Sequence, residues 1–244
     1  MPNSLLEIQH LSTNLAENKA IDGINFKISS GQIIGIAEPN RSGKNILFDI
    51  ICNSPYSSYN GEVYFEGKNI RHLCVNKIAA LGIARTSQGK NIYLSLSAIS
   101  NVLISIESQP NLLNLEDREA VAENALQMVG FPTELYSTSF SALSIFNQRQ
   151  LELAIAIALS PKLLLMDAPT ANLPPSEAQH IVDIIFKIRN NGIAILIAEH
   201  SLEVIFGISD QILILNKGRL AAYGSPKDVT NATKILDAYL EAVN

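Results

Sequence analysis

Gly35-Ile-Ala-Glu-Pro-Asn-Arg-Ser-Gly-Lys-Asn-Ile46 begins inside a short apolar run, Ile33–Ala37, and ends inside a segment of helical spacing, Lys44–Cys52. A buried strand that turns through a polar loop into a helix points backbone N–H groups and the positive end of the helix at one spot, which suits an anion. The phosphate-loop pattern G-x-x-x-x-G-K-[ST] is half met. Gly43 and Lys44 satisfy it, whereas Glu38 stands at the first glycine position and Asn45 at the Ser/Thr position. On this segment alone, an ordinary polar strand–helix loop is about as good a reading. Glu38, if it points inward, adds negative charge where phosphates belong. Asn45 offers an amide oxygen where a hydroxyl would ligate Mg²⁺, so weak metal binding is expected.

About 120 residues downstream stands Pro161-Lys-Leu-Leu-Leu-Met-Asp167-Ala-Pro-Thr170. An apolar strand ending in Asp is the form of a Walker B element, whose carboxylate reaches Mg²⁺ directly or through water. An Asp that merely opens a turn is common, but the two elements in this order favour the functional reading. Around them the pattern alternates. Strands are predicted at Leu163–Met166 and Ile193–Ala198, and helices at Ser144–Leu159, Ser176–Arg189, Leu202–Ile208 and Lys234–Ala242. Residues 5–10 and 22–28 alternate apolar and polar, as do Val63 and Phe65 after Asn60-Gly61. Gln211–Asn216 and Arg219–Ala222 flank a Lys217-Gly218 turn. From about 97 to 160 the spacing is helical, including Glu116–Val129. The expected fold class is α/β: a mostly parallel sheet flanked by helices, with an antiparallel β portion near the N-terminus and an inserted helical subdomain at about 89–158. A single domain over 1–244 is expected, since no linker, repeat or low-complexity tract divides the chain.

The totals exclude several classes. Apolar residues make up 47% and charged residues 17% of the 244, which argues against disorder. A net charge of −5 argues against a nucleic-acid partner, which needs a basic face. Cys52 and Cys74 share no CxxC or Cys/His pattern, so zinc and redox roles are not expected. No apolar run approaches the roughly 18 residues of a membrane span, and Met1–Ile8 is not a signal peptide. The expected product is a soluble chain whose membrane role, if any, needs a partner carrying the spans.

Other segments fall in a telling order: Ile83-Ala-Arg-Thr-Ser-Gln88, Leu143-Ser-Ile-Phe-Asn-Gln-Arg-Gln-Leu-Glu-Leu-Ala154, Ala198-Glu-His200, and Gly207–Gly218 followed by Gly224-Ser-Pro226. With the two elements above, from about Leu5 to Leu240, the chain resembles the ATPase subunits of ABC transporters, and looks closest to those of branched-chain amino acid importers. The resemblance implies a P-loop NTPase core and a sandwich dimer in which ATP lies between one subunit's Walker elements and the other's signature. It also implies a helical subdomain that grips a membrane subunit. By this analogy Asn40, Arg41, Ser42, Gly43, Lys44, Asn45 and Ile46 line the phosphates, with Lys44 on the β/γ-phosphates. Ser144 is the signature serine. Asn45, Gln88 and Asp167 serve Mg²⁺, Gln88 also the attacking water, and His200 the γ-phosphate. The partners implied are transmembrane permease subunits and a second ATPase subunit, homo- or heterodimeric. The location implied is cytoplasmic, peripheral on the inner face of the cell membrane.

The chain also departs from the family pattern. The glutamate expected after the Walker B Asp is Ala168, and a methyl group can neither accept a proton nor orient water. Loss of a general base costs about 10²–10⁴-fold in rate. The signature reads Leu143-Ser-Ile-Phe-Asn147, with Ile145 and Phe146 where glycines would let backbone approach phosphate. The adenine-stacking aromatic is replaced by Leu15, Arg41 takes a glycine position, and Ala171–Pro175 is altered. Impaired hydrolysis of weakly held ATP and Mg²⁺ is therefore expected. The alternative is a non-hydrolysing pseudo-ATPase that serves a transporter structurally or as a regulator. Glu199 lies on the histidine strand and not after Walker B, so it is not expected to replace the missing base. His10, His72 and His180 share no metal-like spacing. The run Tyr93–Ile106 is read as a docking surface, with core packing as the alternative.

Overall fold

The parallel strands are apolar through their middles, with polar residues only at their ends, because both of their faces are covered. In the computed structural model, which describes residues 4–15, 18–37, 43–54, 59–86, 92–107 and 115–231, the elements run as follows. The first stretch holds β1 (Leu6–Leu15), β2 (Asn18–Ile28), β3 (Ile33–Ala37), α1 (Lys44–Ile51), β4 (Asn60–Phe65), β5 (Lys68–Asn69), α2 (Val75–Ala80) and β6 (Ile83–Arg85). The helices α3 (Ala98–Glu107), α4 (Leu115–Met128) and α5 (Ile145–Ala158) follow. The chain then returns to the sheet with β7 (Leu163–Asp167), α6 (Pro175–Asn190), β8 (Ala194–Glu199), α7 (Leu202–Ile208), β9 (Gln211–Asn216), β10 (Arg219–Gly224) and α8 (Pro226–Asn231).

Two sheets form. One is antiparallel, in the order β2-β1-β4-β5; the other has six strands in the order β10-β9-β3-β8-β7-β6, parallel except for the edge strand β10. In the six-stranded sheet, successive side chains go to opposite faces. Ile33, Leu164, Met166, Ile195 and Ile197 join a core with the buried sides of α3, α4, α5 and α6. Ile34, Ile36, Leu163, Leu165, Leu196 and Ala198 join a second core with Leu47, Phe48 and Ile51 of α1 and the inner face of the antiparallel sheet. The mostly parallel sheet, the antiparallel portion and the helices between β6 and β7 match the expected class.

Three departures from the sequence reading have local causes. The strand expected at 5–10 continues to Leu15 because His10 adopts φ +50° and the register with β2 shifts between Ile8 and Leu11. That bulge moves the buried position from 10 to 11 and so breaks the alternation. The short α2 and β6 were not expected. Helix α2 buries only Ile78, and β6 is a three-residue edge strand defined by its pairing with β7. The predicted helix Lys234–Ala242 lies outside the described residues.

Gly35 marks where β3 meets α7. A Cβ there would lie 2.4 Å from the Ser209 hydroxyl and 2.7 Å from Ile205, so only glycine permits the close approach.

Candidate functional site

In a parallel sheet all strands end on the same edge, and groups placed just beyond those ends are brought together whatever their sequence separation. Here β3 leads to Gly43 and Lys44, β7 ends at Asp167, β8 leads to His200, and β6 leads to Thr86. The Lys44 ammonium lies 3.5 Å from Asp167 Oδ1 and 3.3 Å from His200 Nε2. The two charged side chains are 13% and 10% exposed, so their attraction is less screened than at a surface. An ammonium has donors only, so in this contact the Lys44 N–H donates and His200 Nε2 accepts.

Gly43, buried at φ +136°, is the N-cap residue of α1; among the described residues no side chain caps this helix, and its first turn contains no acidic residue. The first helical bond runs from Leu47 N to Gly43 O, so the amides of Lys44, Asn45 and Ile46 precede the ladder. Asn45 is exposed and Ile46 half-buried. Asn40, Arg41, Ser42 and Gln88, as well as Glu38, lie outside the described residues, as does the side chain of Leu15.

Asp167 is held from its neighbours on both sides. Its N–H donates to the buried Thr86 hydroxyl at 3.3 Å, and Thr86 N–H donates to Leu165 O at 2.9 Å. The next residue, Ala168, is buried and adopts φ +46°, a left-handed conformation that costs a residue with a Cβ about 1–2 kcal/mol. Its N–H donates to Ala198 O at 2.7 Å, which fixes the turn against β8. The position expected to carry a base thus points a methyl group into a packed, strained corner.

Two partners in this region were not anticipated. The first is Thr86. The second is the Thr170–Glu199 pair, in which Thr170 donates from both N–H and hydroxyl to Glu199 Oε1, at 2.7 and 2.8 Å. The available signal was weak: each threonine falls within three residues of a strand end.

Ser144 stands apart from this cluster. It caps α5, accepting from Asn147 N–H at 3.1 Å and donating to Asn147 Oδ1 at 2.7 Å. Asn147 Nδ2 donates to Gln150 Oε1, and buried Gln150 donates to Val129 O and Gly130 O. The serine is therefore the outer end of a chain of hydrogen bonds that runs inward to the end of α4. Ile145 is 51% exposed, and the Phe146 ring lies 6.0 Å from the His180 ring on α6.

Comparison with known proteins identifies the family. The sequence profile of the family described as ABC transporter matches residues 21–171. The chain is 28% identical to the high-affinity branched-chain amino acid transport ATP-binding protein BraF of Pseudomonas aeruginosa, over 98% of this chain and 99% of that protein. It is 28% identical to a probable branched-chain amino acid transport ATP-binding protein LivG of Archaeoglobus fulgidus, over 98% of this chain and 96% of that protein. Two solved structures, a nucleotide-free ATP-binding cassette from an ABC transporter and the ADP conformation of such a cassette, each superpose with a TM-score of 0.87 at 25% identity. Each covers 97% of this chain and 98% of the other. The chain belongs to the ABC transporter family.

Proposed function

We propose that this chain is the nucleotide-binding subunit of an ABC importer for amino acids or a similar small solute, and that its own hydrolysis is impaired. The observation that carries the reading is the meeting of Lys44, Asp167 and His200 at the ends of three parallel strands, beside the start of α1. The solute class rests on the names of the full-length relatives.

The residues present fit a nucleoside triphosphate with Mg²⁺. The amides at the start of α1, with the helix dipole, suit phosphate oxygens, and Lys44 would add a charge-assisted bond. Asp167 is the hard-oxygen ligand that Mg²⁺ requires, Asn45 a neutral and weaker one. When bound, the metal neutralises phosphate charge. His200, which meets Lys44, would face the terminal phosphate. What the corner lacks is a proton acceptor at Ala168, which is the physical basis of the proposed impairment.

The chain is read as one nucleotide-binding unit, with a helical arm at about 89–158. The arm's buried residues and one face of the sheet share a single core, which supports one unit rather than two. No helix among the described residues is long and apolar enough to cross a membrane. Membrane subunits would dock at the loop before α3, where Tyr93 and Leu94 are 54% and 57% exposed. Buried Asn101 holds that loop, accepting from Tyr93 N–H and donating to the carbonyls of Tyr93, Leu96 and Ser97. A second cassette would complete the sandwich, and the complex would sit on the inner face of the cell membrane.

The test is equilibrium binding of a fluorescent ATP analogue with and without Mg²⁺, together with co-purification of permease subunits. Saturable binding is expected, and Tyr93→Asp with Leu94→Asp is expected to abolish permease capture while leaving nucleotide affinity unchanged. Absence of nucleotide binding with permease capture intact would favour the pseudo-ATPase reading.

A further inference from the structure

Glu199 is a buried carboxylate, 3% exposed, that the mechanism above does not use. The backbone ladder between β7 and β8 ends at Asp167↔Ala198. One more backbone bond follows, Ala168 N–H to Ala198 O, and then the chain after β7 turns away. At that point the Glu199 side chain takes over from the backbone. Its Oε1 receives both Thr170 donors at 2.7 and 2.8 Å, and its Oε2 lies 3.2 Å from His200 N–H. Beyond the clamp, Ala171 N–H returns to Ala168 O and Leu173 N–H to Thr170 O, so the turns at 168–173 are held by this carboxylate together with the Ala168–Ala198 backbone bond. The residue that provides it is the direct neighbour of His200, whose ring meets Lys44.

We propose that Glu199 is a positioning residue of this site. Through Thr170 it holds the turn after Asp167, and through its own backbone it holds His200, so that the two strand ends keep a fixed separation around Lys44. The proposal rests on the nucleotide-site reading. It also separates Glu199 from the role of water-activating base, because Oε1 is already engaged by two donors and the group is closed off from solvent. A buried hydrogen bond to a charged group is worth more than a neutral one, so loss of the clamp is measurable as weaker binding.

The discriminating experiment uses the full chain, with a fluorescent ATP analogue titrated in Mg²⁺ and in EDTA, and with residual hydrolysis measured in the same samples. Glu199→Gln keeps an oxygen for both Thr170 donors, gives up only the longer 3.2 Å acceptor contact to His200 N–H, and is expected to bind Mg-nucleotide within about 3-fold of the parent and to retain its residual turnover. Glu199→Ala is expected to weaken Mg-nucleotide binding by about 10-fold or more, a loss consistent with the range for charged hydrogen bonds. Its EDTA affinity is expected to change less. Glu199→Gln that binds normally but loses residual turnover would identify a base and overturn the proposal. Glu199→Ala that folds and binds as the parent does would overturn it too. Should Glu199→Ala fail to fold, Thr170→Ser and Thr170→Val decide: serine is expected to match the parent and valine to weaken binding, and equal behaviour of the two overturns the clamp. Amide exchange at Thr170, faster in Glu199→Ala than in Glu199→Gln, reads the clamp without nucleotide. A parent that binds no nucleotide but shows that exchange pattern would sink the site reading and leave the clamp; an unchanged exchange pattern would sink the clamp.

Discussion

On the proposed reading the strand-end cluster and the start of α5 would carry the two halves of an ABC-type site, and the two are held in different ways. At the strand ends Lys44, Asp167 and His200 still meet within 3.5 Å, although Ala168 beside them is a methyl group. At α5, Ser144 is present, but its hydroxyl is tied to Asn147; Ile145 faces solvent and Phe146 lies against His180. The difference follows from what holds each region. The register of five parallel strands places the first group, and that register is enforced by the apolar residues that fill both cores. A helix start has no comparable constraint. It needs a cap and a packed first turn, and Ser144, Asn147 and Phe146 supply both.

That contrast can be broken most forcefully at Ala168. With a partner cassette whose signature is intact, Ala168→Glu is expected to raise turnover by about 10²–10⁴-fold, the range for a positioned general base, measured by phosphate release. Position 168 already carries a Cβ at positive φ, so the change adds no new backbone strain. No gain would mean that the strand-end half is defective elsewhere. Next in size is the framework itself. Leu165→Ala, fully buried in β7, is expected to cost about 2–5 kcal/mol in denaturant unfolding. A smaller loss would show that the sheet does not enforce the cluster as argued. Lys44→Ala, which removes one charge-assisted phosphate contact, is expected to weaken nucleotide binding by about 10–100-fold. The smallest effect concerns the far end of α1. Burial pushes the Cys52 thiol up to about 11, so near pH 8 only about a thousandth of it is thiolate. Exposed Cys74 is therefore expected to take up iodoacetamide first, with Cys52 reacting only as the pH rises toward that value or the chain unfolds. Mass spectrometry checks the order.

The loop 92–97 sharpens the same lesson. Tyr93 and Leu94 stand exposed because Asn101, buried in α3, satisfies four backbone groups beneath them. From the sequence, Tyr93–Ile106 could be a docking surface or core; the structure divides it, with Tyr93 and Leu94 outside and Ala98, Val102 and Ile106 inside.

The chain's own residue order determined the β3–loop–α1 unit, the Asp167 strand, the His200 strand and their arrangement in a parallel sheet. These are local signals: continuous apolar runs mark strands buried on both faces, and Gly-Lys after such a run marks a helix start open to anions. Only the tertiary structure decided what depends on pairing between distant segments. The bulge at His10, the edge strand β6 set against β7, the hold of Thr86 on Asp167, and the clamp from Glu199 to Thr170 across 29 residues are of this kind. A buried hydrogen bond takes its meaning from the partner that the fold delivers, and no periodicity along one segment encodes that partner.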